Sequence, residues 1–177
     1  MQAPQLISKR LLLRAIQPDD NKAILAYRSD AETNQYQGWI PKTLSDVDAF
    51  IEKIPTVFNQ ADTWFQLVIV EKDSQQLIGD MGIHFIDEDQ VELGCTLIKT
   101  VHNKGYASEA MREVINHMFS QLNKHRIIAS IDPANTASIK LVERLGFRKE
   151  AHFVESICSN GQWVDDVVYA VLKREWK

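Results

Sequence analysis

Val91-Glu92-Leu93-Gly94-Cys95-Thr96-Leu97-Ile98, then Val101-His102-Asn103-Lys104-Gly105-Tyr106-Ala107-Ser108-Glu109, then Arg126-Ile127-Ile128-Ala129-Ser130-Ile131, is the stretch whose pattern decides the fold. Its first and last segments are apolar runs of strand length. Between them the hydrophobic period lengthens from two to about 3.6 residues. Ala107, Ala110, Met111, Val114, Ile115, Met118, Phe119 and Leu122 then fall on one face of a helix that opens after Gly105. A strand, a helix and a strand in that order form a crossover, so strands 91–98 and 126–131 are expected to run parallel in one sheet.

Working outward, Trp64 to Val70 and Leu77 to Ile86 are two further strand-like runs separated by the polar turn Lys72-Asp73-Ser74-Gln75-Gln76. A short acidic turn, Asp87-Glu88-Asp89, leads from them into 91–98, which predicts three consecutive antiparallel strands. Leu11 to Ala15 reads as a first strand. Pro18-Asp19-Asp20 stands before Ala23, Ile24, Leu25 and Tyr27 and predicts an aspartate-capped helix. Residues 30–43, with Tyr36, Gly38, Trp39 and Pro41, lose periodicity and read as a loop bearing exposed aromatics. Leu44-Ser45 opens a second helix carrying Val47, Phe50, Ile51 and Ile54, with Pro55 at its end. Beyond 126–131, Pro133 ends the strand, and Ile139, Leu141, Val142 and Leu145 mark a short helix stopped by Gly146. Two tail strands, 147–156 and 165–172, are joined by a Ser159-Asn160-Gly161 turn. The expected architecture is one α/β (α+β) domain over residues 1–177. It has a mixed, mostly antiparallel sheet, one parallel, splayed strand pair, and flanking helices.

Composition fits that reading. The chain has 177 residues, 45% hydrophobic and 25% charged, within the usual range of one globular domain. Twenty basic and 24 acidic residues give a net charge of −4, with no block of like charge, which disfavours a nucleic-acid partner. No window approaches the ~20 apolar residues of a membrane span, and Met1 to Pro18 lacks the continuous apolar stretch of a secretion signal. Cys95 and Cys158 have neither a CxxC partner nor zinc-finger spacing. Reduced thiols, no metal and a cytoplasmic location are therefore expected.

Two polar segments follow the parallel strands. A glycine at a helix opening lets the backbone approach a ligand, and the amides around Gly105 suit a diphosphate, with Lys104 adding charge. The segment matches neither GxxxxGK[ST] nor GxGxxG, and taken alone an ordinary strand-to-helix turn is the better explanation of it. Asp132-Pro133-Ala134-Asn135-Thr136-Ala137-Ser138 follows the neighbouring strand. There Asn135 is either a helix cap or a ligand contact. Their pairing is informative, because ligands in open sheets settle beyond the carboxyl ends of parallel strands.

His102-Asn103-Lys104-Gly105-Tyr106-Ala107 resembles the Gln/Arg-x-x-Gly-x-Gly/Ala loop of the GNAT superfamily of acetyl-CoA-dependent N-acetyltransferases. Asn135-x-x-Ser138-x-x-Leu141, ending in Leu145-Gly146-Phe147, is similar to that family's second motif, and the order of elements resembles its fold over nearly the whole chain. Gly105 to Ala110, Asn160-Gly161-Gln162-Trp163 and Asp166 to Trp176 most resemble the RimJ/RimL type, which acetylates ribosomal proteins. Two positions depart from the loop pattern: His102 replaces Gln or Arg, and Asn103 stands where glycine is frequent. Backbone amides do most of the holding, so both changes are compatible with a diphosphate site.

The resemblance implies acetyl-CoA as donor, a primary amine as acceptor, and direct attack of the neutral amine on the thioester. Implied cofactor contacts are Leu97, Ile98, His102, Asn103, Lys104, Gly105, Tyr106, Ala107, Ser108, Asn135 and Ser138. Many relatives carry a tyrosine after the leucine of the second motif as proton donor to the thiolate. Here that position is Val142, and Ser138 or a water is left for the role. A thiol of pKa about 8.5 leaves readily, so the loss is tolerable. Glu92, a carboxylate among Val, Leu and Cys in the central strand, is the leading base, with Asp80 and His84 next. Cys95 reads as packing rather than as a nucleophile. Tyr36, Trp39, His84 and Trp163 are candidates for the acceptor site, Trp64 for that site or the core. Asp19, Asp20, Asp30, Glu32, Asp46 and Asp48 would draw a cation or simply be solvated. The acceptor is either a protein amino terminus or a small amine such as a polyamine, aminoglycoside or amino sugar. A sensor that binds acetyl-CoA without turnover is the non-enzymatic alternative, and a two-fold dimer is common in the resembled branch.

Overall fold

The computed structural model describes every residue except Asn160, and Ser159 by its backbone alone. The expected turn at 159–161 therefore falls partly outside the described residues. In chain order the elements are β1 (Leu6–Ile7), β2 (Leu11–Ala15), α1 (Asn21–Arg28), α2 (Leu44–Glu52), β3 (Thr63–Glu71), β4 (Leu77–Phe85) and β5 (Gln90–Leu97). Then come α3 (Tyr106–Ser120), β6 (Arg126–Ile131), α4 (Thr136–Arg144), β7 (Arg148–Ser159) and β8 (Gln162–Leu172). Among the described residues the strands form one sheet in the order β1-β2-β3-β4-β5-β6-β8-β7.

The crossover read from the sequence is present: β5 and β6 are the parallel pair, and the other neighbours are antiparallel. Parallel pairing is short, running from Gln90↔Arg126 to Glu92↔Ile128. Beyond it β5 continues to Leu97 against β4, while β6 continues to Ile131 against β8. The two strands diverge there, which leaves backbone donors and acceptors of each facing a gap rather than each other.

Alternation along the strands divides the sheet into two faces. One face presents Phe65, Leu67, Ile69, Met81, Ile83, Phe85, Val91, Leu93, Ile127 and Ala129 to the main core, closed by α3 and α4. Burial of Met111, Val114, Ile115, Met118 and Phe119 fixes α3, at about 1.5–3 kcal/mol for each large side chain. On the opposite face Val68 and Val70 pack with Ile24 and Tyr27 of α1 and Val47 of α2. These two helices cover only part of it. Trp64, Gly82, His84, Glu92 and Gly94 share that face by register and are half-buried or exposed.

Several local expectations are corrected. Asp20 does not cap α1 with its side chain; both its oxygens accept from Arg14, at 2.8 Å, and one also takes the Gln17 amide. A side-chain cap does form at Thr43 on α2, with Asp46 bonding back to the Thr43 amide. Ile54 and Leu122 lie beyond the ends of their helices, and the tail strands are longer than 147–156 and 165–172. The last strand, β8, inserts between β6 and β7, so β7 is the sheet edge.

Candidate active site

The loop between β5 and α3 is shaped by two left-handed residues, Asn103 (φ 60°) and Gly105 (φ 80°). Asn and Gly are the residue types that enter this region at least cost. Gly105 is the N-cap of α3, and the amides behind it have no partner within the helix. The His102 ring Nε2 lies 2.9 Å from the Leu97 carbonyl; a carbonyl can only accept, so Nε2 carries the proton and fastens the loop to the end of β5. Asn135 caps α4, its side-chain oxygen accepting from the Ser138 amide at 3.1 Å.

Between this loop and α4 runs a groove of about 700 Å³. Leu97, His102, Asn103, Gly105, Tyr106, Ala107, Ser108, Asn135 and Ser138 line it, together with Tyr36, Gln37 and Arg144. Of the expected cofactor contacts, Ile98 and Lys104 are not in the lining. Ile98 packs instead against the cores, and the Lys104 side chain is exposed. The groove fits the long, diphosphate-bearing carrier that the resemblance implies: amides at a helix opening turned by the left-handed Gly105, and a passage leading to the β5–β6 gap.

A second cleft, about 590 Å³, lies on the partly covered sheet face. Tyr36, Gln37, Cys95, Thr96, Asn135, Ser138 and Leu141 line both spaces, so the two meet at the diverging strands. Gln66, Gly82, Glu92 and Gly94 form its floor, with Trp39, Phe50, Trp64 and Tyr36 around it. Trp39 stacks on Phe50 with centroids 4.3 Å apart, and Trp64 on His84 at 4.7 Å. The Tyr36 hydroxyl donates to the Ala134 carbonyl at 3.3 Å. Trp163 and His84, expected at the acceptor site, are absent from the lining: Trp163 is exposed at the start of β8, opposite Cys158, and His84 is stacked on Trp64.

Glu92 is half-buried in this floor, its Oε2 3.4 Å from Nδ1 of His84. Burial pushes its carboxyl above the usual carboxylate range, His84 holds part of that rise back, and the charge of Asp166 adds to it. Asp166, not anticipated from the sequence, is buried at the β8 side and accepts from Ser130 Oγ at 2.8 Å. Counting by twos along each strand from Glu92 would have placed Gly94 and Ser130 beside it; Asp166 required the order of β8.

Asp80 is differently placed. It is buried and accepts from Tyr27 Oη (2.6 Å), Arg28 Nε (3.1 Å), Arg28 Nη2 (2.5 Å) and the Gln66 amide. Those donors fill its lone pairs, so it supports the cleft floor rather than serving as a base. Arg28 Nη1 also reaches Gln37 at 3.3 Å and ties the 30–43 loop to the floor. Burial pushes the Cys95 thiol up to about 12, the opposite of what a nucleophilic cysteine needs. Of the acidic residues that would draw a cation, the buried Asp20 and the exposed Asp46 serve their own segments and Glu32 pairs with Lys99 at 2.9 Å.

A phosphate-suited helix opening, joined through diverging strands to an aromatic cleft with a carboxylate in its floor, is the arrangement that transfer of a group from a nucleotide-derived carrier to a second molecule would need. The family model described as an acetyltransferase (GNAT) domain matches residues 10–148. The chain is 33% identical over 175 residues to the uncharacterized N-acetyltransferase YnaD of Bacillus subtilis (strain 168), covering 97% of this chain and 98% of that protein. It is 28% identical over 122 residues to the ribosomal protein uS5-alanine N-acetyltransferase of Escherichia coli (strain K12), covering 67% of this chain and 63% of that one. A solved GNAT acetyltransferase from Bacillus anthracis superposes with a TM-score of 0.88 at 29% identity, covering 97% of this chain and all of that one (100%). The chain belongs to the GNAT acetyltransferase family. It is an N-acetyltransferase, and the family's donor is acetyl-CoA and its acceptor an amine. Among the described residues no cluster of side chains suits a metal ion, and no helix is long and apolar enough to cross a membrane.

Proposed function

We propose that the acceptor is the amino terminus of a protein, as in the RimJ/RimL type, and that Glu92 is the base that neutralises it. The observation that carries the reading is the position of Glu92: a carboxylate of raised proton affinity in the floor of an open cleft, next to the passage from the cofactor groove. Bound acetyl-CoA supplies the activated acyl group. The chain's part is to hold both reactants at the β5–β6 gap, take a proton from the ammonium at Glu92, and offer unpaired β5 amides toward developing negative charge. Ser138, which lines both spaces, is the proton donor proposed for the departing thiolate. Tyr36 and Trp39 border the acceptor's position, His84 supports it from outside the lining through Trp64 and Glu92, and the bare floor at Gly94 leaves width for an extended chain.

The acidic floor supports a second reading, a small cationic amine, because Glu92, Asp166 and Asp132 lie in or beside the cleft while Arg28 is neutralised by Asp80. A cytoplasmic setting and a two-fold dimer go with the proposed type, and sedimentation at micromolar concentration tests the latter. The acceptor is tested by thiol release from acetyl-CoA over a panel of peptides with ribosomal-protein amino termini, polyamines, aminoglycosides and amino sugars. The proposal expects kcat/KM to be highest for a peptide; a polyamine or amino sugar preferred by tenfold or more would replace it with the second reading.

A further inference from the structure

We propose that Arg10, held by Glu109, is a positioning residue for the cofactor loop: it grips residues 104–106 from behind and thereby sets the affinity for coenzyme A without touching it. The inference rests on the reading of that loop as the diphosphate site.

Arg10 lies just before β2, far from the loop in sequence, and neither it nor Glu109 lines the groove. It meets the residues on both sides of Gly105. Its Nη1 donates to the Lys104 carbonyl at 3.0 Å. Its Nη2 lies 3.6 Å from where a Cβ on Gly105 would stand. Its guanidinium lies over the Tyr106 ring, 4.0 Å from the centroid. Glu109, in the first turn of α3, aims the guanidinium by accepting from Arg10 Nε at 2.6 Å. The other Glu109 oxygen accepts from the Arg10 amide at 2.8 Å and from Ser8 Oγ at 2.7 Å.

The support is itself anchored. The Lys72 amide donates to the Arg10 carbonyl at 2.9 Å, and Lys72 Nζ donates to the Ser8 carbonyl at 2.9 Å. Tyr106 is fixed at its other end by donating its hydroxyl to Glu71. A loop with two left-handed residues has a short list of conformations that aim its amides at one point, and ordering it only on binding would cost affinity. Fastening the Lys104 carbonyl and the Tyr106 ring, on either side of Gly105, meets that cost during folding.

The test uses the full-length protein. Coenzyme A affinity is measured by calorimetry, amide hydrogen exchange at residues 103–107 in the free protein, and Tm, for wild type, Arg10→Met, Arg10→Lys, Glu109→Gln and the Arg10→Met/Glu109→Gln pair. Loss of charge-assisted hydrogen bonds should weaken coenzyme A binding about tenfold in Arg10→Met, with part of the loss recovered in Arg10→Lys. Exchange should quicken at the loop while Tm moves by no more than about 3 °C. The double variant should bind no worse than about twofold below the weaker single one, because both changes remove one device. Affinity within twofold of wild type in Arg10→Met, or faster exchange spread over the whole sheet, would overturn the proposal. Failure of the wild-type protein to bind coenzyme A would overturn the loop reading, and the brace with it.

Discussion

Gly82 of β4 and Gly94 of β5 stand directly opposite one another, on the same sheet face as Glu92. Two facing glycines remove both side chains from one cross-strand pair and open a trough beside the carboxylate. A Cβ on Gly94 would meet nothing within 4 Å, whereas one on Gly82 would come within 3.2 Å of the Trp64 ring. Gly94→Val should therefore fill the trough without disturbing the fold. Its expected effect is a rise in acceptor KM of about tenfold with coenzyme A affinity within twofold, read from steady-state kinetics and calorimetry.

Glu92→Gln removes a base while keeping size, and kcat should fall by about a hundredfold with coenzyme A affinity nearly unchanged. Because the folded carboxyl has a raised pKa, wild-type activity should decline on acidification at a pH above the ordinary Glu value, and that limb should vanish in the variant. The sign for stability is the reverse. The folded state binds this proton more tightly than the unfolded chain, so stability is full below the unfolded pKa and is lost as pH rises through the folded one. Removing the titration should raise Tm at pH 7 to 8 by roughly 1–3 °C, measured by calorimetry.

The two cysteines should separate cleanly. Burial holds the Cys95 thiol near a pKa of about 12, while Cys158 is exposed on β7. Iodoacetamide at pH 8 should modify Cys158 alone, seen by peptide mass, and leave turnover intact. Alkylation of Cys95 that tracks loss of activity would bring back a covalent mechanism.

Beneath the cleft, Arg28→Met would strand the buried Asp80 carboxylate and should cost about 3–5 kcal/mol in denaturant unfolding. Gly79→Ala should also destabilise strongly, because its Cβ would fall 2.2 Å from the Thr96 carbonyl oxygen. A core clash of this kind costs about 1–3 kcal/mol or more. The contrast with Gly94→Val distinguishes a glycine kept for packing from one kept for access.

The crossover, the helix at 106–120 and the strand run before it were legible because each is a long periodic signal within one segment. What escaped depended on register or on distant partners. Glu92 was visible as an odd carboxylate, but its neighbour Asp166 became so only once β8 was seen to insert beside β6. Asp80 reads as a candidate base until Tyr27, Arg28 and Gln66 are found around it. Trp163 looks like a site residue in a turn motif, yet the hairpin carries it away from the cleft. Gly105 is legible as a helix opening from its own segment, while its support at Arg10 lies too far along the chain for any local pattern to reveal.

The most direct test is a crystal structure of the protein with coenzyme A. Diphosphate oxygens should lie about 2.7–3.2 Å from amides in residues 103–108, with the pantetheine arm entering the gap between β5 and β6 toward Glu92. Coenzyme A bound elsewhere, or its arm lying outside that gap, would contradict this placement of the site.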